Sequence, residues 1–307
     1  MSIGNNTPIL LIIFNRPEAT QIVFNALCKI KPLKLYISAD APRTGNEPDQ
    51  INCRRSREIV TKIDWECETY FRFLDHNLGC GKAVSSAISW AFEKEEKLII
   101  IEDDCIPTFA FIDFCNYCLD KYCNDEIVMQ IAGNNYTENH NFSNQDYFFS
   151  KYGHIWGWAT WKRAWRHFDY EMRDWPRYRD LQKLSSTLKS QKTIAFFRNV
   201  FDIYYSDPNK PWAIRWLFAK FKSQGLTIVP CKNLVRNIGS IGTHSNKEYF
   251  YRVTENYKFE NEPLEIICNE RYDDYHFKHH INAHTNIFLE IYIKLKKNSA
   301  IRKIKKD

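Results

Sequence analysis

The sequence predicts an α/β fold built on a doubly wound, mostly parallel central sheet with flanking helices. Three observations carry that expectation. In the first hundred residues strand-like and helix-like segments alternate, at 9–14, 18–28, 33–39, 53–63, 68–73, 83–94 and 98–101. The runs at 9–14 and 98–101 are unbroken apolar stretches, as expected of strands buried on both faces. Polar groups stand at three strand ends: Asn15 with Arg16, Asp40, and Glu102-Asp103-Asp104. Parallel strands place such ends on one edge, where open α/β sheets bind ligands.

Each element has its own signal. The first strand runs into Asn15-Arg16-Pro17, and a helix follows over 18–28. The second closes at Asp40-Ala41-Pro42. Gly, Asn and Pro over 44–52 predict a loop, and the helix after it carries Arg54, Arg55 and Arg57. Beyond the strand at 68–73 comes His76-Asn77-Leu78-Gly79-Cys80-Gly81-Lys82. This turn before a helix offers backbone N–H groups and a cation to an anion. It matches neither G-x-x-x-x-G-K nor G-x-G-x-x-G. The strand at 98–101 then meets three acids in a row. Adjacent carboxylates repel, and a hard cation such as Mg²⁺ or Mn²⁺ suits their oxygens. A strand end fraying into a charged loop is the alternative.

After Pro107 the sequence predicts an aromatic helix over 109–122, a strand over 128–133 and an Asn-rich loop over 134–145. Four Trp fall within the ten residues from Trp156 to Trp165. They read either as a core wall or as a platform for the C–H faces of a sugar. Helical segments follow over 180–205 and 212–224, then a strand over 226–230 and a Gly-rich loop over 237–245 bearing His244. No internal repeat or linker divides the chain.

The 307 residues are ample for a sizeable core, and 44% apolar with 26% charged residues is ordinary for a globular protein. No run of eighteen apolar residues predicts a membrane span. No basic segment precedes the first apolar stretch, so no signal peptide is expected, and the expected location is cytoplasmic. The ten cysteines then read as reduced, mostly buried hydrophobes. Cys115 and Cys118 form a C-x-x-C in an apolar helix, with no second pair nearby. Much of the net charge of +6 sits in residues 294–307, after an apolar run at 287–293. Peripheral docking on the inner face of a membrane and a solvated terminus are both open. Nucleic acid is disfavoured, because the basic residues are terminal and the strand-end acids repel phosphate.

Phe14-Asn15-Arg16-Pro17, Asn77-Leu78-Gly79-Cys80-Gly81-Lys82, Glu102-Asp103-Asp104-Cys105 and Trp156-Gly157-Trp158 together resemble a bacterial family of nucleotide-diphospho-sugar transferases. Its members are often labelled hemolysin-like and look like distant relatives of N-acetylglucosaminyltransferase I. The similarity runs over residues 8–245. It implies a GT-A fold over 1–250, with a donor half of about 1–135 and an acceptor half of about 136–250, followed by a helical, aromatic extension with a basic tail over 251–307.

The resemblance further implies sugar transfer from a nucleotide-diphosphate sugar, with UDP and inversion favoured, to a glycan or lipid-linked acceptor in surface polysaccharide synthesis. Mn²⁺ or Mg²⁺ would sit on the diphosphate. Asp104 would bind the metal directly, with Glu102 and Asp103 on the ribose or on metal-bound waters. Arg16 and Asp40 would grip base and ribose, and a carboxylate at Asp40 suits the N3–H of uracil. Lys82 would add charge near the diphosphate. His244 would be either a late metal ligand or an ordinary loop residue. Trp156, Trp158 and Trp212 would meet the acceptor. One departure concerns the general base: where the family carries an acid, in Trp212-Ala213-Ile214-Arg215-Trp216, this chain has Ala213. Either Asp207 or Asp174 serves instead, or the chain is a weakened, inactive or engineered variant. A sugar nucleotidyltransferase is the competing enzyme, but it would show a Gly-rich basic loop after the first strand. Ala213 and the Trp cluster keep a non-catalytic carbohydrate-binding protein open.

Overall fold

The computed structural model describes residues 7–239 and 253–282. Strand and helix alternate through the first hundred residues as β1 (Ile9–Ile13), α1 (Pro17–Ile30), β2 (Lys34–Ala39), α2 (Glu47–Val60), β3 (Glu68–Phe73), α3 (Gly79–Ala91) and β4 (Lys97–Glu102). Every residue of β1 is buried, as an unbroken apolar run requires of a central strand. It pairs in parallel with β2 on one side and β4 on the other.

The chain continues as β5 (Cys105–Pro107), α4 (Phe109–Lys121), β6 (Val128–Ala132), β7 (Tyr147–Ser150), β8 (Trp158–Trp161), α5 (Lys162–Trp165), α6 (Trp175–Asp180), α7 (Gln191–Ser206), α8 (Trp212–Lys222), β9 (Leu226–Pro230), β10 (Val235–Asn237) and α9 (Glu270–His276). The central sheet has eight strands in the order β3-β2-β1-β4-β8-β6-β9-β7. β8 and β7 run antiparallel to their neighbours, and the other pairings are parallel. The protein is thus an α/β protein with a large, mostly parallel sheet flanked by helices. A separate two-stranded ribbon joins β10 to β5.

Two local expectations are corrected, and one stretch left open is assigned. The helix expected from residue 53 begins at Glu47, because Asn46 caps it by accepting Asp49 N–H at 3.0 Å and Pro48 fits its first turn. The helix expected from residue 83 begins at Gly79, whose φ of +75° suits glycine. The Trp-rich stretch contains β8, a strand that slots between β4 and β6, with Ala159 opposite Ile99 on one side and Ile131 on the other.

Strand alternation splits the core into two layers. Leu11, Ile13, Ile99 and Ile101 face a cluster that includes α1 and α4, while Leu10, Ile12, Leu98 and Ile100 face α3 and α8. Cys115 and Cys118 lie in the first layer at 0% exposure, and all ten cysteines are unpaired thiols. An aromatic subcore of Trp175, Phe197, Phe201, Phe218 and Phe221 binds α6, α7 and α8 together. Among the described residues no helix is long and apolar enough to cross a membrane.

The described part of the C-terminal stretch packs on β7. Asn269 N–H donates to Phe149 O at 2.7 Å, and Ser150 Oγ and Lys151 N donate to Asp273. His276, on α9, is 3% exposed, and burial followed by His280 pushes it down to about 3. It therefore folds neutral. Its contribution to stability is full above about pH 6.5, the unfolded value, and is lost as pH falls towards 3. Asp273, pushed up to about 6 by burial, acts in the opposite sense, so the informative quantity is a difference. His276→Leu is expected to gain on the native chain by on the order of 1.4 kcal/mol per pH unit below 6.5. Urea midpoints at pH 7 and pH 4.5 measure it, and parallel pH curves for the two proteins would refute it.

Candidate functional site

β1, β2, β3 and β4 all end on one edge of the sheet, and the three acids close the central strand there. Glu102 sits opposite Ile12 and continues the row of Leu98 and Ile100 towards α3 and α8. Asp103 is 2% exposed; it accepts Phe14 N–H at 3.3 Å and an Arg16 hydrogen bond. Arg16 also donates to Asp104 Oδ2 at 2.9 Å. One guanidinium at the start of α1 thus bridges two carboxylates. Burial opposes its charge, but Asp103 and Asp104 outweigh that and raise it above its ordinary value. Three acids against one arginine leave negative charge in excess. Burial first, then Asp104 and Asp103, push Glu102 up to about 8.

The ribbon of β5 and β10 closes over Asp104. Ile238 N–H donates to Asp104 O at 2.8 Å, and a Cβ on Gly239 would lie 2.4 Å from Asp104 Oδ2. Only glycine lets the backbone pass that close. Gly239→Ala is therefore expected to displace the Asp104 carboxylate and weaken any ligand held there by about tenfold, the equivalent of one lost charge-assisted contact. Unchanged affinity in calorimetry would refute the close approach. His244, further along this loop, lies outside the described residues, as does the basic tail at 294–307.

Asp40 is brought to the same edge but is used internally. Its carboxylate accepts the N–H groups of Ala41 (2.9 Å), Leu78 (2.9 Å) and Gly79 (3.0 Å), and the Asn77 side chain at 3.1 Å. These four bonds engage both carboxylate oxygens, where the sequence suggested a bond to a uracil. Asp40 instead anchors the turn that starts α3, and burial raises it while the amides hold it down. The same bonds take two N–H groups of the Gly turn that were expected to meet an anion. Asp103 is likewise a positioning residue, because its oxygens hold Phe14 and Arg16.

Lys82 is exposed on the first turn of α3, its Nζ 5.8 Å from the Tyr170 ring. Gly81 beside it lies under Tyr170 and Lys210: a Cβ there would be 2.4 Å from Tyr170 Oη and 2.8 Å from Lys210 O. The segment 207–212 therefore meets the N-terminus of α3 at the site's edge. Asp207 is partly exposed there, and its Oδ1 accepts Asn209 N–H at 2.9 Å. Asp174 is not brought in. It pairs at 2.7 Å with Lys222, the last residue of α8, whereas the site lies at the first. Arg215, 1% exposed, is a residue whose part the sequence did not reveal. It donates to Tyr170 O and Asp207 O and lies 4.4 Å from the Tyr170 ring, tying both segments together.

Among the described residues no three His, Cys, Asp or Glu side chains converge as a metal-binding set. No family model matches the chain. No curated protein matches it either. Among solved structures it is similar to HddC from Yersinia pseudotuberculosis, at 11% identity and a TM-score of 0.28, over 41% of this chain and 57% of that one. It is similar to a UDP-glucose pyrophosphorylase complexed with UDP-glucose at 12% identity and a TM-score of 0.25, over 41% of this chain and 56% of that one. The chain thus spans less than two thirds of either.

Trp158 and Trp212, expected to meet the acceptor, lie in the core. They are 0% and 2% exposed and stack on each other at 5.4 Å in the layer below Glu102. Trp156 is different: it is half-buried, on the segment entering β8, with its ring 4.9 Å from that of Tyr136. Tyr136 in turn lies 4.0 Å from buried His154, which burial and then His276 keep neutral.

Proposed function

We propose that the protein is a metal-dependent glycosyltransferase that uses a nucleotide-diphosphate sugar and a glycan or lipid-linked acceptor, in the making of a surface polysaccharide. One observation carries the reading. Three acids end the central strand on the ligand-binding edge of the sheet, with a single guanidinium to balance them. Carboxylate oxygens are the kind of donor a divalent cation such as Mn²⁺ or Mg²⁺ takes, although no three of these side chains converge among the described residues. Asp104 and Glu102 would hold it. The ion would supply positive charge to the diphosphate as the sugar–oxygen bond breaks.

This chain's own residues do the rest. Asp103 holds Arg16 at the wall of the crevice. Lys82 brings an ammonium to the first turn of α3, towards the diphosphate. Asp207 is the carboxylate at that edge that we assign to take the proton of the acceptor hydroxyl. Trp156 with Tyr136 forms the aromatic surface we assign to the acceptor sugar. UDP is the first nucleotide to try, on the strength of the sequence resemblance.

Titrating UDP calorimetrically with and without Mn²⁺, on the native protein and on Asp104→Ala, tests the reading. Binding that needs both Mn²⁺ and Asp104 supports it. Silence towards UDP, GDP and CDP alike overturns it in favour of a carbohydrate-binding protein, which would bind glycan without metal or nucleotide. Ala213 favours that second reading. It lies partly exposed in the first turn of α8, which has no acid and no side-chain cap. Ala213→Asp is expected to stabilise the fold by about 0.3–1 kcal/mol through the helix dipole. It is also expected to raise UDP-sugar hydrolysis if a missing acid limits turnover. Unchanged hydrolysis would remove Ala213 from the argument.

A further inference from the structure

A cavity of about 360 Å³ opens beside the edge strand β3, between α2 and the strand end, and none of Glu102, Asp103 and Asp104 lines it. That volume is within the range of small-molecule sites. Its lining has two characters. Phe73 and Pro42 supply a ring and a flat apolar face, while Arg54, Arg57, Gln50 and Thr61 supply polar groups. The helical spacing of 50, 54 and 57 places three of these along one stripe of α2, and Thr61 caps its end.

The charge in the cavity is positive. Two arginines face one acid, Glu58, whose one ion pair among the described residues is a 3.9 Å contact to Arg54 across one turn. Such an exposed pair is weak, so Arg54 is available to a better anion. Arg57 is held in place: Nη2 donates to Asp40 O at 3.2 Å and to Leu74 O at 2.7 Å, and its guanidinium lies 5.1 Å from the Phe73 ring. Those bonds use Nη2, and Nη1, which is not among the buried atoms, makes no hydrogen bond among the described residues. A fixed guanidinium with unspent donors, a second arginine one turn away and an aromatic face together suit a phosphate ester carrying a flat apolar group.

We propose that this cavity is a second ligand site, separate from the acidic crevice, and that it takes a small phosphate ester with a planar apolar part. The arginines receive the phosphate, and Phe73 with Pro42 receives the ring. The proposal stands independently of the glycosyltransferase reading, since none of the crevice acids lines the cavity.

Phenyl phosphate, titrated calorimetrically into the full chain in metal-free, phosphate-free buffer, is the probe. Arg57→Ala is a poor test because it also releases the carbonyls of Asp40 and Leu74. Arg54 is 72% exposed, so Arg54→Glu leaves the fold intact, which thermal unfolding checks. The expected result is binding that weakens about tenfold or more in Arg54→Glu, is unchanged in Lys82→Ala, and is tighter for phenyl phosphate than for inorganic phosphate. No binding overturns the proposal. So does binding that Lys82→Ala abolishes and Arg54→Glu leaves alone, which would put the anion at α3. Equal affinity for the two probes overturns the role of Phe73 and Pro42.

Discussion

Replacing Arg16 with alanine is expected to lower the unfolding free energy by about 3–5 kcal/mol in metal-free buffer. The size follows from what the change strands. Asp103 is 2% exposed, and Arg16 is the cation that bonds both it and Asp104. Removing one partner of a buried pair leaves charge without compensation, which costs far more than the pair contributes when intact. Urea unfolding measures the loss. The double variant Arg16→Ala/Asp103→Leu is expected to recover part of it, because the stranded charge goes too. A loss below about 1 kcal/mol would place the bridge with solvent-screened surface pairs. Mn²⁺ adds a second readout. If the acids hold a divalent cation, Mn²⁺ stabilises Arg16→Ala more than the native chain, since the ion then meets a larger excess of negative charge. An equal effect on both proteins would count against a cation site.

Trp158→Ala is expected to cost about 3–5 kcal/mol, the range for deleting a large aromatic side chain from a packed core. Trp158 is fully buried, stacks on Trp212 at 5.4 Å and approaches Trp165 and Trp216 at 6.3 and 6.2 Å. No smaller neighbour can fill its space. Trp156→Ala, at a half-buried position two residues away, is expected to cost only about 1–2 kcal/mol. The functional effects should run in the opposite order. Loss of Trp156 is expected to weaken acceptor or glycan binding while UDP binding stays unchanged. Denaturation and glycan titration on both variants test the contrast. A Trp158 variant as stable as the native chain would contradict the packing, and unchanged glycan affinity in Trp156→Ala would remove it from the acceptor surface.

Burial explains which parts of the site the sequence revealed. The acids were legible because a buried strand ending in three carboxylates is unusual on its own, whatever surrounds it. Arg16 was legible for the same reason, standing at the end of the other fully apolar strand. The tryptophans were not, because spacing cannot distinguish a ring facing a neighbouring helix from one facing solvent. Trp156 and Trp158 are two residues apart, and it is β8 pairing with β4 and β6 that buries one and leaves the other half-open. In the sequence Asp40 suits a ligand, as a strand-end acid does. Its use to anchor residues 77–79 depends on where β3 delivers the following turn. Asp207 and Asp174 looked equivalent, and the direction of α8 across the sheet separated them.

The sequence by itself determined the alternation of the first four strands and three helices, the parallel character of that half, and the edge on which its acids and Arg16 gather. Those follow from local hydrophobic period and chain order, which need no partner to be read. Only the tertiary structure decided the insertion of β8, the ribbon over Asp104, the reach of Arg215 to two distant carbonyls, and the cavity between α2 and β3. Each of these depends on contacts between residues far apart in the chain, and such contacts leave no periodic mark in either segment.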